Sequence, residues 1–160
     1  MSKKYENEEH KLNDKWTLYY HDKHDSNWGV DSYMKIETFD TVEKFWKIYN
    51  SLPELADIML FLMRNDIKPM WEDERNKHGG AYLYKIHNNK LSDIWTDVSC
   101  AVIGETLHTD FEMSKKITGI SISPKFQTTT LRVWVADLNV EAKDFCSIGD
   151  GLEQYIFKKH

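Results

Sequence analysis

The chain has 160 residues, 41% of them hydrophobic, and a formal net charge of −5. That length supports one domain with a real core, and the charge excludes a protein that holds nucleic acid through a broad basic field, so any RNA must sit in a local pocket. Neither a membrane span nor a secretory leader is expected: no apolar run is long enough to cross a bilayer, and residues 1–9 are polar and charged.

Residues 1–9 show no apolar period and read as a disordered arm, which leaves residues 10–160 as a single domain. Trp16, Leu18 and Tyr20 alternate with Thr17 and Tyr19, the pattern of a half-buried strand. A polar turn over 21–26 then delivers Trp28 beside Gly29, and a second strand follows over 33–38. Asp40-Thr41-Val42-Glu43 opens a helix with acids at its N-terminus. Val42, Phe45, Trp46, Ile48 and Tyr49 share one helical face, with Trp46 at its margin.

Pro53 starts a short helical turn, and residues 58–63 form a continuous apolar run suited to a strand covered on both faces. A polar loop over 69–80 leads to a strand over 82–86. A second helix over 92–105 carries Ile94, Trp95, Val98, Ala101 and Val102. Strands over 117–123 and 131–136 pair across a Thr-rich turn. A last helix is expected over 142–158, with Phe145, Ile148, Leu152 and Tyr155 on one face and Gly149 and Gly151 weakening it. Cys100 and Cys146, the two cysteines, are both expected in apolar helical contexts within a reducing, intracellular setting. The pattern gives an α+β fold: a curved antiparallel sheet with about three helices on its convex face and a concave ligand site opposite.

Six tryptophans are many for an acidic chain of this size. Trp71 is followed by Glu72, Asp73 and Glu74, which suits a loop and not a covered strand. An indole face beside a carboxylate matches guanine, whose N1–H and N2 amino group need an acceptor. N7-methylation makes that base cationic and adds attraction to an electron-rich ring. A tryptophan in this loop serves equally to cap a core, and the residues alone leave both readings open. Trp28, among Ser26, Asn27 and Gly29, has little local core to join. The three acids also suit Mg²⁺, but no phosphate-binding loop, nucleophile elbow or dinucleotide fingerprint accompanies them. The seven histidines are scattered and build no zinc quartet with the cysteines. Hydrolysis of caps or nucleotides is therefore the remote reading, and no cofactor or metal is expected.

Phe39-Asp40-Thr41-Val42-Glu43-Lys44-Phe45-Trp46, followed by Tyr49-Asn50, resembles the first-helix signature of the eukaryotic translation initiation factor 4E family. Pro69-Met70-Trp71-Glu72-Asp73-Glu74, with Asn76-Lys77 and Gly79-Gly80, resembles its cap-site loop. His10, Leu12 and Trp16 are similar to its N-terminal segment, and Trp95 with Ile103-Gly104-Glu105 to its second helix. The resemblance implies a non-enzymatic protein that binds the 7-methylguanosine cap of mRNA. By position, Trp28 and Trp71 would sandwich the base, Glu72 would accept from its Watson–Crick edge, and Trp134 would contact the methyl region. The triphosphate would run over a basic patch near Lys125.

The chain departs from the family pattern in three places. Gln127 and Thr130 stand where lysines are common, and Ala81 replaces an arginine. Thr130, Arg132 and Trp134 share strand parity, so Arg132 either faces the pocket and recovers phosphate contact or lies exposed on a sheet edge. The partner-binding face implied by the resemblance comprises His10, Val42, Glu43, Trp46, Thr96, Asp97 and Cys100. Thr96 and Cys100 replace leucines there, Asp97 a glutamate, and Lys11 a proline, which makes a poorer groove for a helical motif. The expected partners are capped mRNA and a scaffold subunit or binding protein with such a motif; no membrane is expected, and the chain should be a monomer. A cap-binding repressor or decoy is the alternative to an initiation factor. The expected location is the cytoplasm, with the nucleus second. The family usually continues past the last helix into another strand and a loop that touches the second nucleotide, whereas this sequence stops at Lys159-His160; either the natural protein is compact or part of it is missing, and contacts to the second nucleotide, if any, are expected from elsewhere.

Overall fold

The computed structural model describes residues 8–146, Ile148, Leu152 and residues 154–160. Its centre is β3 (Met59–Arg64), buried along its whole length. Strand side chains alternate faces, so this apolar run divides in two: Leu60 and Leu62 join the main core, while Met59, Phe61 and Met63 join a second cluster on the opposite face. β3 pairs antiparallel with β1 (Lys11–His21) on one side and β5 (Ile117–Lys125) on the other. The full sheet has seven strands in the order β2-β1-β3-β5-β6-β4-β7. Here β2 is Met34–Thr41, β4 is Gly80–His87, β6 is Thr128–Val135 and β7 is Ile156–Lys159. Each neighbouring pair is antiparallel, and β2 and β7 are the open edges.

The helices cover one face. Thr41 caps α1 (Val42–Tyr49), its side chain accepting from the Lys44 amide at 3.3 Å. Phe45 and Ile48 then point into the main core. α2 (Leu91–Ile103) contributes Leu91, Ile94, Trp95, Val98 and Val102 to the same core. The two helices meet where the Tyr49 ring lies parallel to Trp95 and its hydroxyl donates to Ser99. A buried ion cluster locks the far end of β3. Arg64 bonds Glu105 beyond α2, Asp14 of β1 at 2.7 Å and the Ile117 carbonyl at 2.9 Å, with its guanidinium over Trp16. With the helices gathered on that face, the opposite face is left for a site. No helix among the described residues is long and apolar enough to cross a membrane.

Among the described residues the expected last helix is not found. Ala142–Asp144 is a single 3₁₀ turn, Phe145 bridges to His108, and Ile156–Lys159 becomes β7 on the β4 edge. Of the residues whose spacing suggested a helix, Phe145, Ile148 and Leu152 pack onto the core without being helical. Helical propensity was weak, and Ile156 and Phe157 favour a strand. Residues 147, 149–151 and 153 of that stretch lie outside the described residues, as do residues 1–7 of the expected arm. Cys100 is on α2, but Cys146 is not helical; its thiol lies 3.5 Å from the Thr106 carbonyl. The third helix is instead α3 (Phe111–Ser114), capped by Asp110.

Candidate functional site

The loop between β3 and β4 is built around two polar side chains. Asn76 is fully buried; its amide donates to the carbonyls of Lys68 and Met70 at 3.2 and 2.9 Å, and its oxygen accepts from Thr118 at 2.7 Å. Asp73 accepts from the Lys68 and Arg75 amides, both at 2.9 Å, and from the Arg75 guanidinium. Burial opposes the charge on Asp73, but these bonds and Arg75 win and hold its carboxyl below the usual range. Gly79 ends the loop against β6, where a Cβ would fall 1.8 Å from the Val135 carbonyl oxygen, so only glycine fits.

This scaffold sorts the three acids. Asp73 is spent inside the loop and Glu74 pairs with Lys77 at 2.7 Å. Glu72 is exposed beside a cavity of about 420 Å³ and has no ion-pair or hydrogen-bond partner among the described residues. Trp71 projects at the same place, 54% exposed, and Trp28 faces the cavity from the β1–β2 loop, 50% exposed. Indoles left so open cap no core, which settles the geometric ambiguity at Trp71.

Two aromatic supports were not legible in the sequence. His21, placed there in a polar turn, is the buried end of β1, and its ring stacks flat on Trp28 at 4.0 Å between centroids and 2° between planes. Its Nε2 and the Asn27 carbonyl are 2.8 Å apart, which fixes the ring. One face of Trp28 is thus covered from behind. Tyr33 leans on both rings and meets Phe61 of β3 edge-on at 5.2 Å. Burial, then the nearby Glu72 charge, raises the Tyr33 pKa, so its hydroxyl stays protonated.

The floor comes from the sheet face opposite the helices. Trp134 is buried there, its indole N–H donating to Ser121 at 3.0 Å. Arg132 also lines the cavity, its guanidinium 5.6 Å from the Trp134 ring centroid. β6 is an interior strand, so Arg132 is not an edge residue. Burial lowers its pKa from the ordinary arginine value, and it has no carboxylate partner among the described residues. A cation held this way is poised for an anion. Lys125 is further out, exposed at the end of β5 and one inward-facing pair beyond Ser123 and Thr130, which do line the cavity.

The residues singled out for a partner lie on the other side of the sheet. The Val42 amide donates to the His10 carbonyl at 2.9 Å, and Glu43 accepts from the His10 amide at 2.9 Å. Trp46, 40% exposed, stands one residue from buried Phe45. On α2, Thr96 and Cys100 are half-buried and Asp97 is exposed.

The model of the family described as eukaryotic initiation factor 4E matches residues 11–159. Eukaryotic translation initiation factor 4E1 of Drosophila melanogaster is 34% identical over 139 residues, covering 82% of this chain and 52% of the relative. Eukaryotic translation initiation factor 4E of Eremothecium gossypii is 35% identical over 134 residues, covering 78% and 62% respectively. The chain thus spans less than two thirds of either relative. Among solved structures, C. elegans eIF4E-3 in complex with the 4E-binding protein Mextli and a cap analog superposes with a TM-score of 0.73 at 29% identity, covering 82% of this chain and 76% of that one.

Proposed function

This chain belongs to the eukaryotic initiation factor 4E family, and from that premise we propose that it binds the 7-methylguanosine cap of mRNA and delivers capped mRNA to translation initiation. One observation carries the reading: two half-exposed indoles, Trp28 and Trp71, open onto one cavity beside the carboxylate of Glu72, which is unpartnered among the described residues. The methylated base inserts between the indoles, with His21 backing Trp28 against displacement. Glu72 accepts from the base N1–H and N2 amino group, and the Trp71 backbone N–H donates to O6. Trp134 meets the methyl side from the floor, while Arg132 and then Lys125 take the phosphates.

Selectivity for the methylated base follows from charge. Each indole contributes roughly 0.5–2 kcal/mol of cation–π attraction beyond ordinary stacking, and a neutral guanine forgoes it. The test is a titration of 7-methyl-GTP against GTP, read by tryptophan fluorescence in wild type and Trp71→Ala. The expected result is a quench by the methylated nucleotide alone, lost in the variant. Equal responses to both nucleotides refute the reading.

The face carrying His10, Val42, Glu43, Trp46, Thr96, Asp97 and Cys100 is assigned to a scaffold subunit or binding protein with a helical motif, and the protein acts as a monomer with the cytoplasmic translation machinery. No catalytic step or cofactor is assigned. Half-buried Thr96 and Cys100, standing where the family pattern has leucines, favour a second reading. With a less apolar groove, the protein would hold caps without recruiting the usual scaffold, and so act as a repressor or decoy. Cap binding without scaffold pull-down supports that reading over the first.

A further inference from the structure

We propose that the tip of the β5–β6 hairpin is a platform for the nucleotides that follow the cap: Phe126 stacks a base, and Lys85 with Lys125 holds the backbone. The inference rests on the cap reading above and extends it beyond the cap itself. Lys125 pairs with Thr128, so Phe126 and Gln127 form a two-residue turn. Phe126 takes φ 57°, the slot that glycine normally fills in such turns. A bulky side chain is strained there, and its phenyl is 92% exposed, so neither local geometry nor burial explains its presence.

The turn is nevertheless clamped. Asn88 donates from its side chain to the Phe126 carbonyl at 2.8 Å and from its backbone to the Gln127 carbonyl at 3.0 Å. Thr129 in turn donates to the Asn88 side-chain oxygen at 2.7 Å. A strained aromatic fixed in water by its surroundings is a preorganised surface, and such strain concentrates at ligand sites.

A row of residues on the cavity face of the sheet connects this tip to the cavity. Arg132 lies opposite Leu83, Thr130 opposite Lys85 and Ser123, and Thr128 opposite His87 and Lys125. Thr130 at the cavity rim lies about 7 Å along the strand from Thr128, and the turn holds Phe126 about 3 Å beyond that pair, so the tip stands outside the cavity in line with a chain leaving it. Lys85 and Lys125 are exposed and neither has a carboxylate partner among the described residues. On a chain of net charge −5 they put positive charge where a phosphate backbone would leave.

The test compares affinities for 7-methyl-GTP and for a capped hexanucleotide RNA in wild type, Phe126→Gly and Phe126→Trp. Glycine relieves the turn, so the first variant removes the ring without threatening the fold. Wild type should bind the capped RNA about fivefold or more tightly than 7-methyl-GTP, the lower range of base–aromatic stacking. Phe126→Gly should lose most of that gain with 7-methyl-GTP affinity intact, and Phe126→Trp should keep it. No gain in wild type, or a gain that survives in Phe126→Gly, overturns the platform while leaving the cap site standing. A wild type that answers to neither ligand overturns the cap reading and this inference with it.

Discussion

Replacing Arg132 by methionine should move stability and affinity in opposite directions. In the free protein the guanidinium is half-buried beside Tyr33 and Trp134, without a carboxylate partner among the described residues. A fully buried unpaired ion costs several kcal/mol. Arg132 keeps part of its water, so its cost is on the order of 1 kcal/mol on the same argument. Methionine retains the apolar stem that packs on Trp134 and removes the charge. The free variant should therefore melt about 2–4 °C higher. With a bound triphosphate the balance reverses, because a charge-assisted hydrogen bond contributes about 1.5–3 kcal/mol. Affinity for 7-methyl-GTP should fall about 10- to 140-fold, while affinity for the 7-methylguanosine nucleoside stays level. Melting curves with and without ligand, paired with titrations of both compounds, measure each part. Unchanged triphosphate affinity refutes the assignment, and an equal loss for the nucleoside shows that Arg132 serves the base and not the phosphates.

Asn76→Ala should cost at least about 2 kcal/mol, since it strips buried hydrogen bonds from the Lys68 and Met70 carbonyls and from Thr118. Thermal melting should fall by roughly 4–8 °C, and 7-methyl-GTP affinity should weaken although Asn76 itself touches no ligand. The His10–Glu43 pair gives a pH signature. The hydrogen bond to Glu43 raises the His10 pKa above its ordinary 6.5. The pair's contribution is therefore complete below that value and is lost as pH rises through the folded-state pKa. An NMR titration should show the raised midpoint in wild type and a return to the ordinary value in Glu43→Gln; equal midpoints in both would remove the pair from the partner face.

Much of the fold was legible because its periods are simple. The apolar run of β3, the alternation in β6 and the helical spacing of α1 and α2 each report burial directly; β1 stands where expected but is covered on both faces, with Thr17 and Tyr19 buried and Tyr20 exposed, so its alternation did not report burial. The segment after Val140 was illegible for the opposite reason. Apolar residues there recur at helical spacing, yet the described ones pack on the core without being helical, and spacing alone does not distinguish those cases. In the site, the exposed aromatics were visible from their polar neighbours. Their supports were not: His21 sits beside Asp22 and Lys23, and Asn76 beside Arg75 and Lys77, so both read as solvated residues. Only the three-dimensional neighbours, Trp28 for one and Thr118 for the other, show why they are buried.

The same logic accounts for the missing basic residues. Ala81, Gln127 and Thr130 suggested a weakened phosphate patch because each was judged at its own position. A sheet face is two-dimensional, however, and a charge lost at one position can return two residues along the strand or on the strand opposite. Arg132 is two residues from Thr130 on β6, and Lys85 faces Thr130 across β4. Both lie on the cavity face, and neither fills a position where the family pattern expected a cation. The positive charge is therefore redistributed, moved inward at Arg132 toward the base and outward at Lys85 toward the hairpin tip. A ligand that extends from the base pocket across both would gain more from this arrangement than a compact triphosphate, so the length of the bound RNA, and not the cap alone, should set the affinity of this chain.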